Sequence, residues 1–192
     1  MGIAVAEEAA KRGADITLVL GPTPERPSVK MKVLKIESLR EMLNAVISEL
    51  EAGGYDIVIL AAAGSDFGPT ERPMEKISSG IPEVIIRLRP LPKIVEQVKK
   101  VAPKVFLVGF KAEYNVSEEE LVERAYKRLM EAGMDLIVAN DVSKEGVGFA
   151  VETNEVYIMD KEKNITHIPK TSKAIVAERI LDIIVSKLNQ KQ

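Results

Sequence analysis

Residues 55–69 read YDIVILAAAGSDFGP, and their reading decides the fold. Tyr55 to Ala61 form a nearly continuous apolar run with β-branched residues, too short for a typical helix. A strand buried on both faces reads this way, and such strands belong to the centre of a parallel sheet. The run then breaks into Ala61, Ala62, Ala63, Gly64, Ser65 and Asp66. In open α/β sheets ligands sit just outside the carboxyl ends of the strands. Small residues there let a flat ring or a polypeptide backbone approach closely. Asp66 could serve as a turn or capping residue, hold a ribose hydroxyl, or bind Mg²⁺.

Working backwards from this stretch, Gly53-Gly54 closes a helix that begins after Ser38 and runs to about Glu51. Glu41, three residues after Ser38, completes a capping-box pattern. Residues 31–35 and 15–20 are strand candidates, and 2–12 carry apolar positions at helical spacing up to a stop at Gly13. Working forwards, a long Gly-, Pro- and Ser-rich loop spans 63–81, a length that usually signals function or disorder. A helix from Pro92 to about Ala102, a strand at 104–110, a charged helix over 117–132 ending at Gly133, and a strand at 135–140 follow. Segments 148–152, 155–159 and 165–168 suggest an antiparallel meander with turns at Thr153-Asn154 and Lys163-Asn164. A last helix runs from about Ser172 to Leu188. This alternation predicts one α/β domain over residues 1–192: a Rossmann-like, doubly wound, mostly parallel sheet with a small antiparallel meander.

Composition narrows the function classes. The 192 residues carry a formal net charge of −2, so no global basic field argues for nucleic acid or an anionic membrane. No stretch approaches the ~20 apolar residues of a membrane helix. The absence of cysteine excludes disulfides, thiolate metal sites and a cysteine nucleophile. It fits a reducing interior, and the expected location is the cytoplasm.

Individual residues after the strands admit two readings each. Phe110 could stack on a base or simply cover the sheet edge. Lys76 could neutralise a triphosphate or be a solvated loop lysine. Arg124, Lys127 and Arg128 on the 117–132 helix could be a wet charged face. His167, the single histidine, reads as a surface strand residue. No Walker A sequence, Ser/His/Asp set or histidine cluster occurs. A nicotinamide or flavin binder would need G-x-G-x-x-G and an acid after the second strand, and Val33 to Lys35 supply none.

Several stretches in register resemble one family: GIAVAEEAAKRGADITLVLGP, AAAGSDFGP with EKI, LPKI, VGFKAE, LIVANDVS and the Lys-Ser-Lys-like start of the last helix. The family is phosphopantothenoylcysteine synthetase, the synthetase half of the coenzyme A biosynthesis bifunctional flavoprotein. The resemblance implies a nucleotide-dependent ligase that activates the 4′-phosphopantothenate carboxylate with CTP (ATP in some relatives) and Mg²⁺, then joins it to cysteine. It further implies a homodimer, with 148–168 as the dimer arm, and a decarboxylase as fused or separate partner.

Carried over residue by residue, the resemblance places Leu60, Ala61 and Ala62 beside the nucleotide and gives Asp66 the nucleotide and its metal. It gives Lys76 the catalytic role in forming the acyl nucleotide. Pro92, Lys93, Ile94 and Val95 become a nucleotide-contacting turn, Phe110 lies near the base, and Arg128 stands for a nucleotide-contacting lysine. A second lysine of the family is Ala132 here, which would shift load to Lys127. The family sets a strand and a phosphate-binding turn before the Met-Gly. The expectation is therefore a sheet lacking that first strand, with an open edge, and a chain that binds nucleotide yet ligates weakly. Two other functions stand beside this one: a non-catalytic dimerising module and a Rossmann-like NAD(P) or flavin binder.

Overall fold

The computed structural model describes residues 1–71, 74–80 and 82–190. Its centre is a mixed five-stranded sheet in the order β3-β6-β7-β8-β9. β3 (Ile57–Leu60), β6 (Phe106–Glu113) and β7 (Leu136–Asp141) are parallel, and β8 (Thr153–Asp160) and β9 (Ile165–Ser172) continue antiparallel. A separate parallel pair, β1 (Thr17–Leu20) and β2 (Lys32–Lys35), stands beside it, and a short antiparallel ribbon joins β4 (Phe67–Pro69) to β5 (Leu88–Pro90).

Helices cover both faces, as the alternation predicted. α1 (Gly2–Lys11) and α5 (Lys173–Asn189) pack on one face, where Val5, Val176, Ala177 and Ile180 meet Phe106, Val108, Leu136, Val138 and Ile158. α2 (Leu39–Ala52), α3 (Ile94–Val101) and α4 (Glu118–Ala132) share the other face, where Leu50, Val98, Leu121, Ala125 and Leu129 meet Leu107, Ile137, Ala139 and Met159. Strand side chains alternate between faces, so one strand feeds both cores. No helix among the described residues is long and apolar enough to cross a membrane.

Local signals explain the helix ends. Ser38 Oγ accepts from Glu41 N–H at 3.2 Å, while the Glu41 carboxylate reaches past the cap to Glu37 N–H at 2.7 Å. The reciprocal capping box of the fold lies at Ser117 and Glu120 instead. Gly133 ends α4 in the left-handed region at φ 63, a conformation that glycine adopts without a Cβ penalty.

The meander departs from expectation at its start. Residues 148–152 form no strand; they lie in a loop in which Gly146, Gly148 and Ala150 all have positive φ. Thr153 and Asn154, expected to turn, open β8 and pair with Ser172 and Thr171. Asn154 is buried with its Oδ1 accepting from Asn140 Nδ2 at 3.3 Å. That distant partner removes the residue's usual reason to turn.

The sheet is divided between β1 and β3. Among the described residues β1 pairs only with β2, and β3 only with β6. The two pieces are tied by Tyr55, just before β3, whose hydroxyl donates to the Glu49 carboxylate and lies 2.8 Å from the Thr17 hydroxyl. Glu49 also binds Lys32 of β2.

Candidate functional site

The carboxyl ends of β3 and β6 form the centre of the site. Their last paired residues are Leu60 and Gly109. Leu60 faces the α3–α4 core, together with Ile94 and Val95 from the first turn of α3. Ala61 is half-buried and Ala62 exposed. Pro92 and Lys93 lead into α3, with Lys93 at the N-cap. A backbone bond from Leu91 N–H to Asp66 O at 2.9 Å holds the β4–β5 ribbon against that entry. It brings the Lys93 ammonium to 3.8 Å from the Asp66 carboxylate. The structure therefore assembles Leu60, Ala61, Asp66, Pro92, Lys93, Ile94 and Val95, separated by up to 35 residues in sequence, around one strand end.

Arg128 projects from α4 toward the same turn of α3. Its two terminal nitrogens lie 3.4 and 3.5 Å from Glu96 Oε1. Lys127, expected to take the load of the cation missing at Ala132, is 76% exposed and faces Glu131 at 4.0 Å. One residue of helical rotation, about 100°, separates the two directions. Phe110 lies on the opposite sheet face, half-buried against the α1–α5 core, so it is not on the side of Leu60, Ile94 and Val95. Lys76 is exposed on the segment joining β4 to β5.

Sequence reasoning missed a group beside these. On β6, residues 109, 111 and 113 share a face with Leu60, since β3 and β6 pair in register. Glu113 Oε1 lies 3.1 Å from Lys111 Nζ, and its Oε2 lies 3.2 Å from Arg124 Nη1. The available signal was the spacing: Arg124 and Arg128 are four apart and so share a helix face. Behind them Asp141, at the end of β7, accepts N–H bonds from Asn115 at 3.0 Å, Val116 at 3.4 Å and Ser143 at 2.9 Å. Burial would raise its carboxyl, but these donors outweigh burial and hold it below the usual carboxylate range. The loop from β6 into α4 is thereby pinned to the neighbouring strand. His167 is a surface strand residue, stacked on Tyr157 at 4.3 Å with Glu155 3.1 Å from its ring nitrogen.

Four cations around this strand end are paired with carboxylates: Lys93 with Asp66, Arg128 with Glu96, and Lys111 and Arg124 with Glu113. Such pairs cost little to open at a solvated surface. A phosphate can replace the carboxylate as the partner of an ammonium or guanidinium. Among the described residues no three carboxylates or imidazoles gather to hold a metal. Asp66 alone fits a Mg²⁺ that arrives with phosphates, because Mg²⁺ is commonly held by one or two carboxylates plus phosphate oxygens.

Fold and site define a Rossmann-like α/β domain with a cation-lined strand end. Residues 1–188 match the family described as the DNA/pantothenate metabolism flavoprotein C-terminal domain, and the chain belongs to it. It is 43% identical over 188 residues to the coenzyme A biosynthesis bifunctional protein CoaBC of Thermococcus kodakarensis, covering 98% of this chain and 45% of that protein. The crystal structure of the C-terminal domain of a CoaBC protein superposes with a TM-score of 0.78 at 32% identity, covering 98% of this chain and 84% of that one. A Cab2 mutant (H337A) in complex with phosphopantothenate-cysteine shares the fold at TM-score 0.60 and 19% identity, over 84% of this chain and 54% of its own. The chain spans about half the length of the curated relatives it matches.

Proposed function

We propose that this domain joins cysteine to 4′-phosphopantothenate at the expense of a nucleoside triphosphate, CTP by preference and ATP as the alternative. The observation that carries the reading is the set of carboxylate-paired cations at the β3–β6 end, in a chain of this family. A carboxylate is a poor electrophile and must be activated. Its oxygen attacks the α-phosphorus, the bond to the bridging oxygen breaks, and pyrophosphate leaves. The cysteine amine then attacks the acyl carbon, a C–N bond forms, the nucleoside monophosphate departs, and the amine proton passes to solvent. Positioned positive charge is the main contribution a site can make to the first step.

In this reading Leu60, Ala61, Ala62 and Pro92 to Val95 form the nucleotide's wall, and Phe110, on the other sheet face, takes no part in it. Lys93 and Arg128 exchange their carboxylates for phosphate. Asp66 turns to the Mg²⁺ carried by the triphosphate. Lys76 comes from the β4–β5 loop to stabilise charge on the transferring phosphorus. Among the described residues β9 pairs only with β8, which supports a homodimer built on the meander, and the length of the relatives supports a decarboxylase as companion domain or protein.

Thermal-shift titrations with CTP, ATP and NAD, each with Mg²⁺, test this. A ligand bound only by the folded state stabilises it by about 2.7 kcal/mol at a hundredfold excess over its Kd. CTP should raise the melting temperature, and Asp66→Ala should abolish the rise. Stabilisation by NAD and not by CTP or ATP would reject the ligase reading.

A further inference from the structure

The nucleotide reading leaves the Lys111–Glu113–Arg124 group unused. Lys111 lies two residues past the last β3–β6 pair, alongside the strand-end residues Ala61 and Ala62. It faces the same side of the sheet as Leu60 and the first turn of α3. Arg124 sits one helical turn before Arg128 on the same face of α4, and Glu120 approaches it at 3.8 Å. Glu113 is the seated member: its side chain is 16% exposed, against 38% for Lys111 and 51% for Arg124. The carboxylate is fixed by its strand, and the two longer cations are drawn to it from different elements.

We propose that Lys111 and Arg124 form a second phosphate station, reached by the distal phosphates of a nucleoside triphosphate whose nearer groups meet Lys93 and Arg128. Glu113 is a positioning residue that holds both cations in place until phosphate displaces it. The station rests on the nucleotide reading and supplies what that reading lacked. Residue 132, where a further cation was expected, is alanine, and Lys127 points away. Two cations from β6 and α4 stand in its place at the strand end itself. Anions collect at such ends because the strand termini and following helix starts present N–H groups and positive charge. A carboxylate shared by two cations keeps them from folding back over the cleft. It also costs less to replace than a buried pair, since both partners are partly solvated.

The test is calorimetric titration of the intact chain with CTP, CMP and inorganic tripolyphosphate, each with Mg²⁺. It compares the unaltered chain with Lys111→Met, Arg124→Gln, Glu113→Gln and the surface control Lys127→Gln. Each of Lys111→Met and Arg124→Gln should weaken CTP and tripolyphosphate roughly tenfold and leave CMP unchanged. Lys127→Gln removes the same charge from the same helix and should change nothing. Glu113→Gln should keep the CMP affinity and flatten the difference between CTP and CMP, and Glu113→Asp should restore it. Equal CTP affinity in the unaltered, Lys111→Met and Arg124→Gln chains would overturn the station. Equal losses in Lys127→Gln would reduce it to net charge and overturn it as well. Tripolyphosphate binding that needs Lys111 and Arg124, without any gain for CTP over tripolyphosphate, would keep the station and reject the nucleotide. Failure of the unaltered chain to bind any of the three would reject both.

Discussion

β7 and β1 are built from the same kind of residues, LIVAND against TLVL, yet all six residues of β7 are buried and none of β1 is. The same contrast separates the halves of the molecule. β6, β7 and β8 have neighbours on both edges and helices on both faces, and most of the fully buried side chains belong to this half. Among the described residues β1, β2 and β3 each have one partner strand, and no residue in them is buried. Apolar composition makes a strand; neighbours on both edges make a core. The candidate site lies on the seam, with its wall and Lys93 on the looser β3 side and Lys111, Arg124 and Arg128 on the firmer β6–α4 side. The difference assigns rigidity to the elements carrying Lys111, Arg124 and Arg128.

The comparison breaks first at the core. Ile137→Ala, at a fully buried position, should cost about 3–4 kcal/mol, whereas Leu18→Ala in the half-buried β1 should cost about 1 kcal/mol. Urea unfolding measures both, and equal losses would show that the halves do not differ. The second effect concerns Asp135, at the foot of β7. It accepts Leu107 N–H at 2.9 Å and the ammoniums of Lys99 at 2.7 Å and Lys161 at 3.0 Å. Burial alone would raise its carboxyl, but the N–H and the two lysines hold it well below the usual carboxylate range. A depressed folded-state pKa means stability present above the unfolded value, about 3.9, and lost as pH falls below it. Asp135→Asn should therefore cost about 2 kcal/mol at pH 7 and flatten the acid limb of the stability profile below about pH 4. An unchanged acid limb would assign that loss to other carboxylates. The smallest effect sharpens the seam: Tyr55→Phe removes the hydroxyl joining β3's entrance to Thr17 and Glu49, and should cost about 1 kcal/mol. Hydrogen exchange should speed in β1 and β2 while β6 to β8 keep their protection.

Much of this was legible in the sequence. Strand–turn–helix periodicity gave the alternation, Ser38 and Ser172 marked helix starts, and Gly133 marked an end, because those signals are local. The meander's start was not legible, since Thr153 and Asn154 look like a turn until Ser172, Thr171 and Asn140 are placed beside them. Nor was the ribbon inside the long loop, whose two three-residue strands meet across residues 67–90. At the site, the order of motifs singled out Asp66 and Lys93, and the fold sets them together. Lys111 and Glu113 went unread because their significance depends on which sheet face they share with Leu60. Phe110 is the converse: its chemistry suits a base, but strand alternation turns it to the other side.

One position at the floor of the site constrains how the domain can vary over descent. A side chain at Gly109 would overlap the sulfur of Met134, which is itself buried against α4. A larger residue at 109 must displace the Met134 side chain within the core that α4 packs on. The two must therefore change as a linked pair, with residue 134 shrinking before residue 109 grows.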